Sequence, residues 1–180
     1  MILSRLLVIL HCLCSLLFRL LVPPFLAAPE GVTLLCAPEP HHAEQAAALL
    51  VDVYWNQGLS AATIAASHLG ATAWVAAIDP SGTLIGTARA ISDRAKRAWI
   101  YDVMVTPTWR KRDLGRALVR LLLDHPAVRQ VATVHLHTRD QQRLYEHFGF
   151  VVTSHTPGPP FPRSEMQLTR PSTSTLPTLS

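Results

Sequence analysis

At 180 residues the chain has room for one domain of ordinary size plus short extensions, and a hydrophobic share of 49% supplies a real core. A net charge of +4 suits an anionic ligand but is too small a basic excess to argue for nucleic acid. Three cysteines, Cys12, Cys14 and Cys36, contain no C-x-x-C pair and support neither a disulfide framework nor a zinc site; the nine histidines are scattered, so no metal is expected.

Residues 1–31 stand apart from the rest. An apolar run covers Leu6 to Phe18, with Arg5 before it and Arg19 after it. It is shorter than the roughly 20 residues that span a bilayer comfortably. A basic start and an apolar stretch of this length also resemble a secretion signal, but Pro29 follows the small residues at Ala28, a poor cleavage context. Three readings stand: a membrane anchor through residues 1–28, an uncleaved or weak signal, or an upstream extension from a wrongly chosen start codon. The third is favoured, because the segment has no pattern that continues a sheet or an amphipathic helix. The expected location is cytoplasmic, with membrane association if the segment is translated.

The domain pattern begins near Val32 and runs to Arg170. Ala, Leu and Val at helical spacing predict a helix within Pro40 to Gln57, stopped at Gly58. Ser60 caps a second short helix to Leu69. "AWVAAID" (Ala73 to Asp79), a turn at Pro80 to Gly82, "TLIGTARAI", a second turn at Asp93 to Lys96 and a strand from Trp99 to Val105 predict an antiparallel meander. The order then changes to alternation. A helix is predicted over 114–124, a strand over 131–138, a helix over 140–148 and a strand over 150–154, then an extended loop "TPGPPFPRS" and a last strand "EMQLT". Helical crossovers between strands imply a parallel or mixed portion of sheet. The polar tail 171–180 is predicted to be disordered.

The stretch "VTPTWRKRDLGRAL" (Val105 to Leu118) carries the clearest chemistry. Pro107 ends a strand, since it has no N–H to donate. Ala117, Leu118, Leu121 and Leu122 then share one face of a helix. The basic run therefore sits on a strand-to-helix turn. There the first N–H groups have no internal partner and the helix dipole favours negative charge. A run of bases is ordinarily a solvated face. On this turn Arg110, Lys111, Arg112 and Arg116 instead make a candidate phosphate site.

This order of elements and two local motifs resemble the GNAT superfamily of acyl-CoA-dependent N-acyltransferases. The first motif is Arg110-Lys111-Arg112-Asp113-Leu114-Gly115, similar to the family's [QR]-x-x-G-x-[GA] turn. The second is "LYEHFGF" (Leu144 to Phe150), which looks like its helix-to-strand signature. Asp113 stands where the family usually has its first glycine, and Lys111 replaces another frequent glycine. The resemblance implies an α+β fold: a GNAT-like mixed sheet, antiparallel meander then β-α-β-α-β, with helices on both faces. It implies an N-acetyltransferase using acetyl-CoA and an amine acceptor, with no metal, as monomer or homodimer. By position the pyrophosphate would meet the backbone of Arg112, Asp113, Leu114, Gly115, Arg116 and Ala117. The pantetheine arm would lie along Val103, Met104 and Val105, with Met104 or Val105 N–H facing the thioester oxygen. Tyr145 is the matching candidate acid. Asp102 is a candidate base, or a partner of an arginine such as Arg89; Trp55 and Trp99 line the acceptor pocket or belong to the core. As an N-cap, Asp113 is expected to accept from Gly115 or Arg116 N–H and so compete with phosphate. Two other readings stand beside the enzyme: a non-catalytic acyl-CoA-binding module, and a membrane-tethered interaction protein.

Overall fold

The computed structural model describes residues 28–159 and 161–170; the apolar N-terminal run and the polar tail lie outside the described residues. Seven strands are formed: β1 (Thr33–Leu35), β2 (Ala73–Ile78), β3 (Leu84–Ser92), β4 (Arg97–Val105), β5 (Thr133–Thr138), β6 (Val151–Thr156) and β7 (Arg163–Thr169). Among the described residues four α-helices accompany them: α1 (His42–Leu50), α2 (Ala61–Leu69), α3 (Leu114–Asp124) and α4 (Gln142–Glu146). The strands make one mixed sheet in the order β1-β2-β3-β4-β5-β7-β6.

The meander β1 to β4 is antiparallel, as its short polar links require. Both turns are held by an aspartate. Asp79 Oδ1 accepts from the N–H of Ser81 and Thr83 at 2.9 and 3.0 Å. Asp93 Oδ1 accepts from Ala95, Lys96 and Arg97 at 2.8–2.9 Å. β4 then pairs in parallel with β5 across the α3 crossover. β7 inserts antiparallel between β5 and β6, so the chain's last strand fills an interior position.

α3 follows the predicted bounds. Leu114, Ala117, Leu118, Leu121 and Leu122 are buried against residues of β2 and β3, among them Val75, Ala77, Ile85 and Ala88. α1 covers the opposite face of β2, where Ala43 and Ala46 meet Trp74, Ala76 and Ile78. Helices thus cover both faces of the sheet. Arg170 closes the domain: its Nη1 donates to Val128 and Val131 carbonyls at 2.7 and 2.9 Å.

Three predicted elements differ. β1 was not expected; three residues carry no readable alternation, and pairing with β2 makes it a strand. α1 stops at Leu50, and a separate 3-10 turn over Tyr54–Asn56 follows, where one longer helix was expected. α4 is five residues, because Gln141 leaves helical backbone before it and Gly149, with φ +86°, ends the turn after it.

Gly86 shows how closely α3 rides on the sheet. A Cβ there would lie 2.8 Å from Leu118 Cδ1 and 3.2 Å from the Met104 carbonyl oxygen. Gly86→Ala is expected to destabilise the protein by about 1–3 kcal/mol, the scale of core overpacking, as a fall in the denaturation midpoint.

Candidate functional site

The site arises where the sheet parts. β4 and β5 pair only over Arg97–Ile100 and Thr133–Leu136. Beyond Ile100, β4 stays on β3 as far as Val105, while β5 stays on β7 as far as Thr138. The two strands diverge and leave an inner edge on each. A cleft of about 1270 Å³ opens between them.

A bulge sharpens the departure. Thr87 faces Met104 and Arg89 faces Tyr101, so two residues of β4, Asp102 and Val103, oppose Ala88 alone. Asp102 takes φ +53°, a left-handed conformation that aspartate tolerates better than most residues. Past the bulge, Thr106 N–H donates to the Ile85 carbonyl at 2.8 Å. Peptide groups alternate along an antiparallel strand, so Val105 turns its N–H and C=O to the open edge. Arg110 Nε agrees, donating to the Val105 oxygen at 3.1 Å. Of the two candidate oxyanion donors, the Val105 N–H rather than the Met104 N–H therefore points to the open edge.

The cleft runs from this edge to the start of α3. Inside the helix the first backbone acceptor is Asp113 O, bonded by Ala117 N–H at 3.0 Å. The N–H groups of Leu114, Gly115 and Arg116 are left without helical partners. Lys111 and Asp113 both have positive φ, 59° and 56°. The resembled family's preference for glycine at these places has a physical reason: the turn needs left-handed backbone.

Of the expected binding residues, Val103, Met104, Val105, Arg110, Lys111, Asp113, Leu114, Gly115 and Arg116 line the cleft. Arg112 and Ala117 do not. The Arg112 guanidinium lies over the Trp109 ring at 4.8 Å, and Ala117 is buried beneath the helix. Arg110 is held by Val105 O and by Met104 Sδ at 3.9 Å, so it braces the strand end.

The capping expectation for Asp113 is overturned. Its side chain accepts no bond from the helix, because left-handed backbone swings it outward. Oδ1 instead takes Arg116 Nη1 at 2.9 Å in an exposed pair. The carboxylate blocks no phosphate-binding N–H; it only offsets one nearby positive charge. Asp113→Gly is therefore expected to tighten acetyl-CoA binding a few-fold at low salt, the scale of an exposed pair. The gain should vanish near 1 M salt, where screening acts within about 3 Å. Titration at both salt concentrations reads this, and a gain that survives high salt would restore the capping explanation.

Asp102 is buried and committed. Arg89 Nε donates to Oδ2 at 2.6 Å and Trp55 Nε1 to Oδ1 at 3.0 Å. Both of its oxygens are taken by donors, a guanidinium and an indole, and the arginine-partner expectation describes it better. Trp55 and Trp99 both line the cleft. Trp99 is stacked on His135 with centroids 4.7 Å apart.

Tyr145 stands on α4 at the cleft wall, buried to 6% exposure and edge-on to Phe150. Among the described residues its hydroxyl has no hydrogen-bond partner, and it is not sealed from the cleft. Burial, with a smaller contribution from Tyr54, pushes the phenol well above the ordinary tyrosine range. Sequence reasoning missed the far wall, made by Tyr54, His137, Arg139, Phe161 and Arg163. Tyr54 packs edge-on to Phe161 at 4.6 Å, and the Arg139 guanidinium lies 3.9 Å over the Tyr54 ring. No local motif signals this wall, since its residues come from three separate loops and strand ends.

Among the described residues no group of three or more His, Cys, Asp or Glu side chains is arranged to hold a metal ion, and no helix is long and apolar enough to cross a membrane.

Comparison with known proteins agrees with this geometry. The sequence model of the acetyltransferase (GNAT) family matches residues 34–150. Over 68 residues the chain is 40% identical to GCN5-related N-acetyltransferase 2, chloroplastic, of Arabidopsis thaliana, a match covering 37% of this chain and 26% of that protein. Histone acetyltransferase TAP1 of Glycine max is 38% identical over 68 residues, covering 37% of this chain and 29% of its own. The match therefore spans less than a third of either curated relative. Among solved structures, an aminoglycoside 6'-acetyltransferase type Ii superposes with a TM-score of 0.65 at 24% identity, over 77% of this chain and 99% of that one. Ard1 from Thermoplasma volcanium also gives 0.65, at 19% identity, over 77% and 97%. At such identities these structures speak for the fold alone. With the family's sequence model, the parted sheet and the basic helix start all in agreement, the chain belongs to the GNAT acetyltransferase family.

Proposed function

We propose that the protein is an N-acetyltransferase that moves an acetyl group from acetyl-CoA to an amine by direct attack. The observation that carries this reading is the continuity of one cleft, from the open edge at Val105 to the unpartnered N–H groups of Leu114, Gly115 and Arg116. An amide-bearing arm satisfies an open strand edge as an added strand would. A pyrophosphate satisfies a helix start flanked by Lys111 and Arg116. The residues present fit acetyl-CoA on both counts.

In the reaction the amine nitrogen forms a bond to the acetyl carbon, the C–S bond breaks, and one proton passes in net from amine to the departing thiol. Val105 N–H stabilises charge on the carbonyl oxygen. The Tyr145 hydroxyl donates toward the departing sulfur. Asp102 positions Arg89 and Trp55 and takes no proton. A non-catalytic acyl-CoA-binding module is the weaker alternative, since Asp113, which favoured it, leaves the helix start open.

Calorimetric titration with acetyl-CoA, followed by thiol release with a panel of amines, tests the proposal. Binding with amine-dependent thiol release supports it. Binding without release on any amine leaves the module, and no binding at all overturns both.

A further inference from the structure

The acceptor side of the cleft has a charge pattern that narrows the acceptor. Seven bases and four aspartates line the cleft. Some of the basic excess belongs to the phosphate turn. On the acceptor side, two arginines are already answered: Arg89 by Asp102, and Arg139 by Asp140 at 3.1 Å. Arg143 also lacks a partner among the described residues but is exposed on α4, whereas Arg163 is shielded. The Arg163 guanidinium makes no hydrogen bond or ion pair among the described residues, although it is only half-exposed at the first position of β7.

The strand's alternation fixes where Arg163 stands. Ser164 and Met166 are buried on one face. Arg163, Glu165 and Gln167 take the other, where Gln167 Nε2 and Glu165 Oε1 approach His135 at 3.1 and 3.4 Å. That is the face on which Trp99 stacks against His135 and leans on His137 at 5.3 Å. Phe161, two residues before Arg163, packs on Tyr54. The unanswered guanidinium thus stands beside an aromatic wall inside the acceptor end. His137 adds no second cation: burial lowers its pKa, and Arg163 lowers it further. Asp52 lines the same cleft as a carboxylate with no partner among the described residues.

We infer that the acceptor amine belongs to a molecule that also carries a carboxylate, held by Arg163 against the Tyr54 and Phe161 rings, while Asp52 draws in the ammonium group before it loses its proton. The inference rests on the acetyl-transfer reading. A guanidinium grips a carboxylate through two parallel N–H donors. A single shielded cation suits a monoanion better than a phosphate dianion. A polycation would meet the basic excess with only Asp52 free to answer it.

The test compares acceptors that differ only in the α-carboxylate: phenylalanine with phenethylamine, lysine with cadaverine, and glutamate with 4-aminobutyrate; phosphoethanolamine is a further arm. Acetyl-CoA binding is measured first on the same protein. The acid of at least one pair is expected to have a kcat/KM about 10- to 100-fold above its twin, the scale of a charge-assisted hydrogen bond. Arg163→Met should collapse that ratio toward one through KM, with acetyl-CoA affinity retained. Where turnover is too slow, quenching of tryptophan fluorescence in the presence of CoA gives the same comparison through Trp55 and Trp99. No preference for the acid in any pair overturns the inference, as does a ratio that survives Arg163→Met or a stronger preference for phosphoethanolamine. If acetyl-CoA itself fails to bind, the acetyl-transfer reading falls and takes this inference with it. Binding without carboxylate preference removes the inference alone.

Discussion

Replacing Tyr145 by Phe is expected to lower kcat by about 10²–10⁴-fold while leaving acetyl-CoA affinity within about threefold. The hydroxyl has no hydrogen-bond partner among the described residues, so its loss breaks no bond there. It would be used only as negative charge grows on the departing sulfur, and an interaction made only then falls on kcat. Burial keeps the phenol protonated across the working range, so it is always present as a donor. The same burial makes it a reluctant acid. A thiol titrates near roughly 8.5 and an unperturbed tyrosine near roughly 10, so full proton transfer from Tyr145 runs uphill. Its contribution is a strong hydrogen bond to the leaving sulfur, with water completing the proton transfer. A second readout needs no acceptor. A phenol whose pKa is raised by folding keeps its stability contribution below about pH 10 and loses it as the pH rises toward the folded value. Tyr145→Phe should therefore resist alkaline unfolding better than the parent above about pH 10. An unchanged kcat would reduce Tyr145 to a packing residue, and identical alkaline profiles would show that its hydroxyl is not desolvated.

What was legible in the sequence follows the range of the interaction concerned. α3 was readable because Ala117, Leu118, Leu121 and Leu122 repeat at helical spacing and the helix buries that one stripe. The meander was readable because Asp79 and Asp93 fold their turns with bonds that reach only two to four residues along the chain. β7 between β5 and β6 was not readable, since a strand's place in a sheet is a long-range choice with no local mark. The site divides in the same way. The phosphate turn lies within one stretch, and nine of the eleven residues expected at it and along β4 line the cleft. The errors there are conformational. Side-chain type alone does not show that Asp113 is left-handed, so a good capping residue was read as a cap. The acceptor wall was missed because Tyr54, Arg139 and Arg163 meet only through the fold.

Asp102 is where fold and site depend on one residue, and Asp102→Asn is expected to cost about 3–5 kcal/mol. The side chains of Arg89 and Asp102 are 13% and 5% exposed, so the asparagine variant would strand a guanidinium with little water to take over. Breaking a buried pair from one side costs more than the pair contributes, because the remaining charge stays desolvated. Asparagine tolerates the left-handed backbone at φ +53°, so backbone strain does not confound the comparison. The melting temperature should fall by roughly 6–20 °C, at about 2–4 °C per kcal/mol for a chain of this size. The companion variant Arg89→Met removes the stranded charge. The double variant Arg89→Met/Asp102→Asn should recover much of the loss, and the non-additivity measures the pair. Activity separates a positioning role from that of a base. If Asp102 removed the amine's proton, the acidic limb of the kcat/KM profile would follow its ionisation and disappear in the stable double variant. If it only holds Arg89 and Trp55, the limb should stay in place and the loss should appear mainly in the acceptor's KM. Trp55, which donates to Asp102 Oδ1, lines the cleft and would be released with it. A vanished acidic limb with unchanged KM would return Asp102 to the role of base.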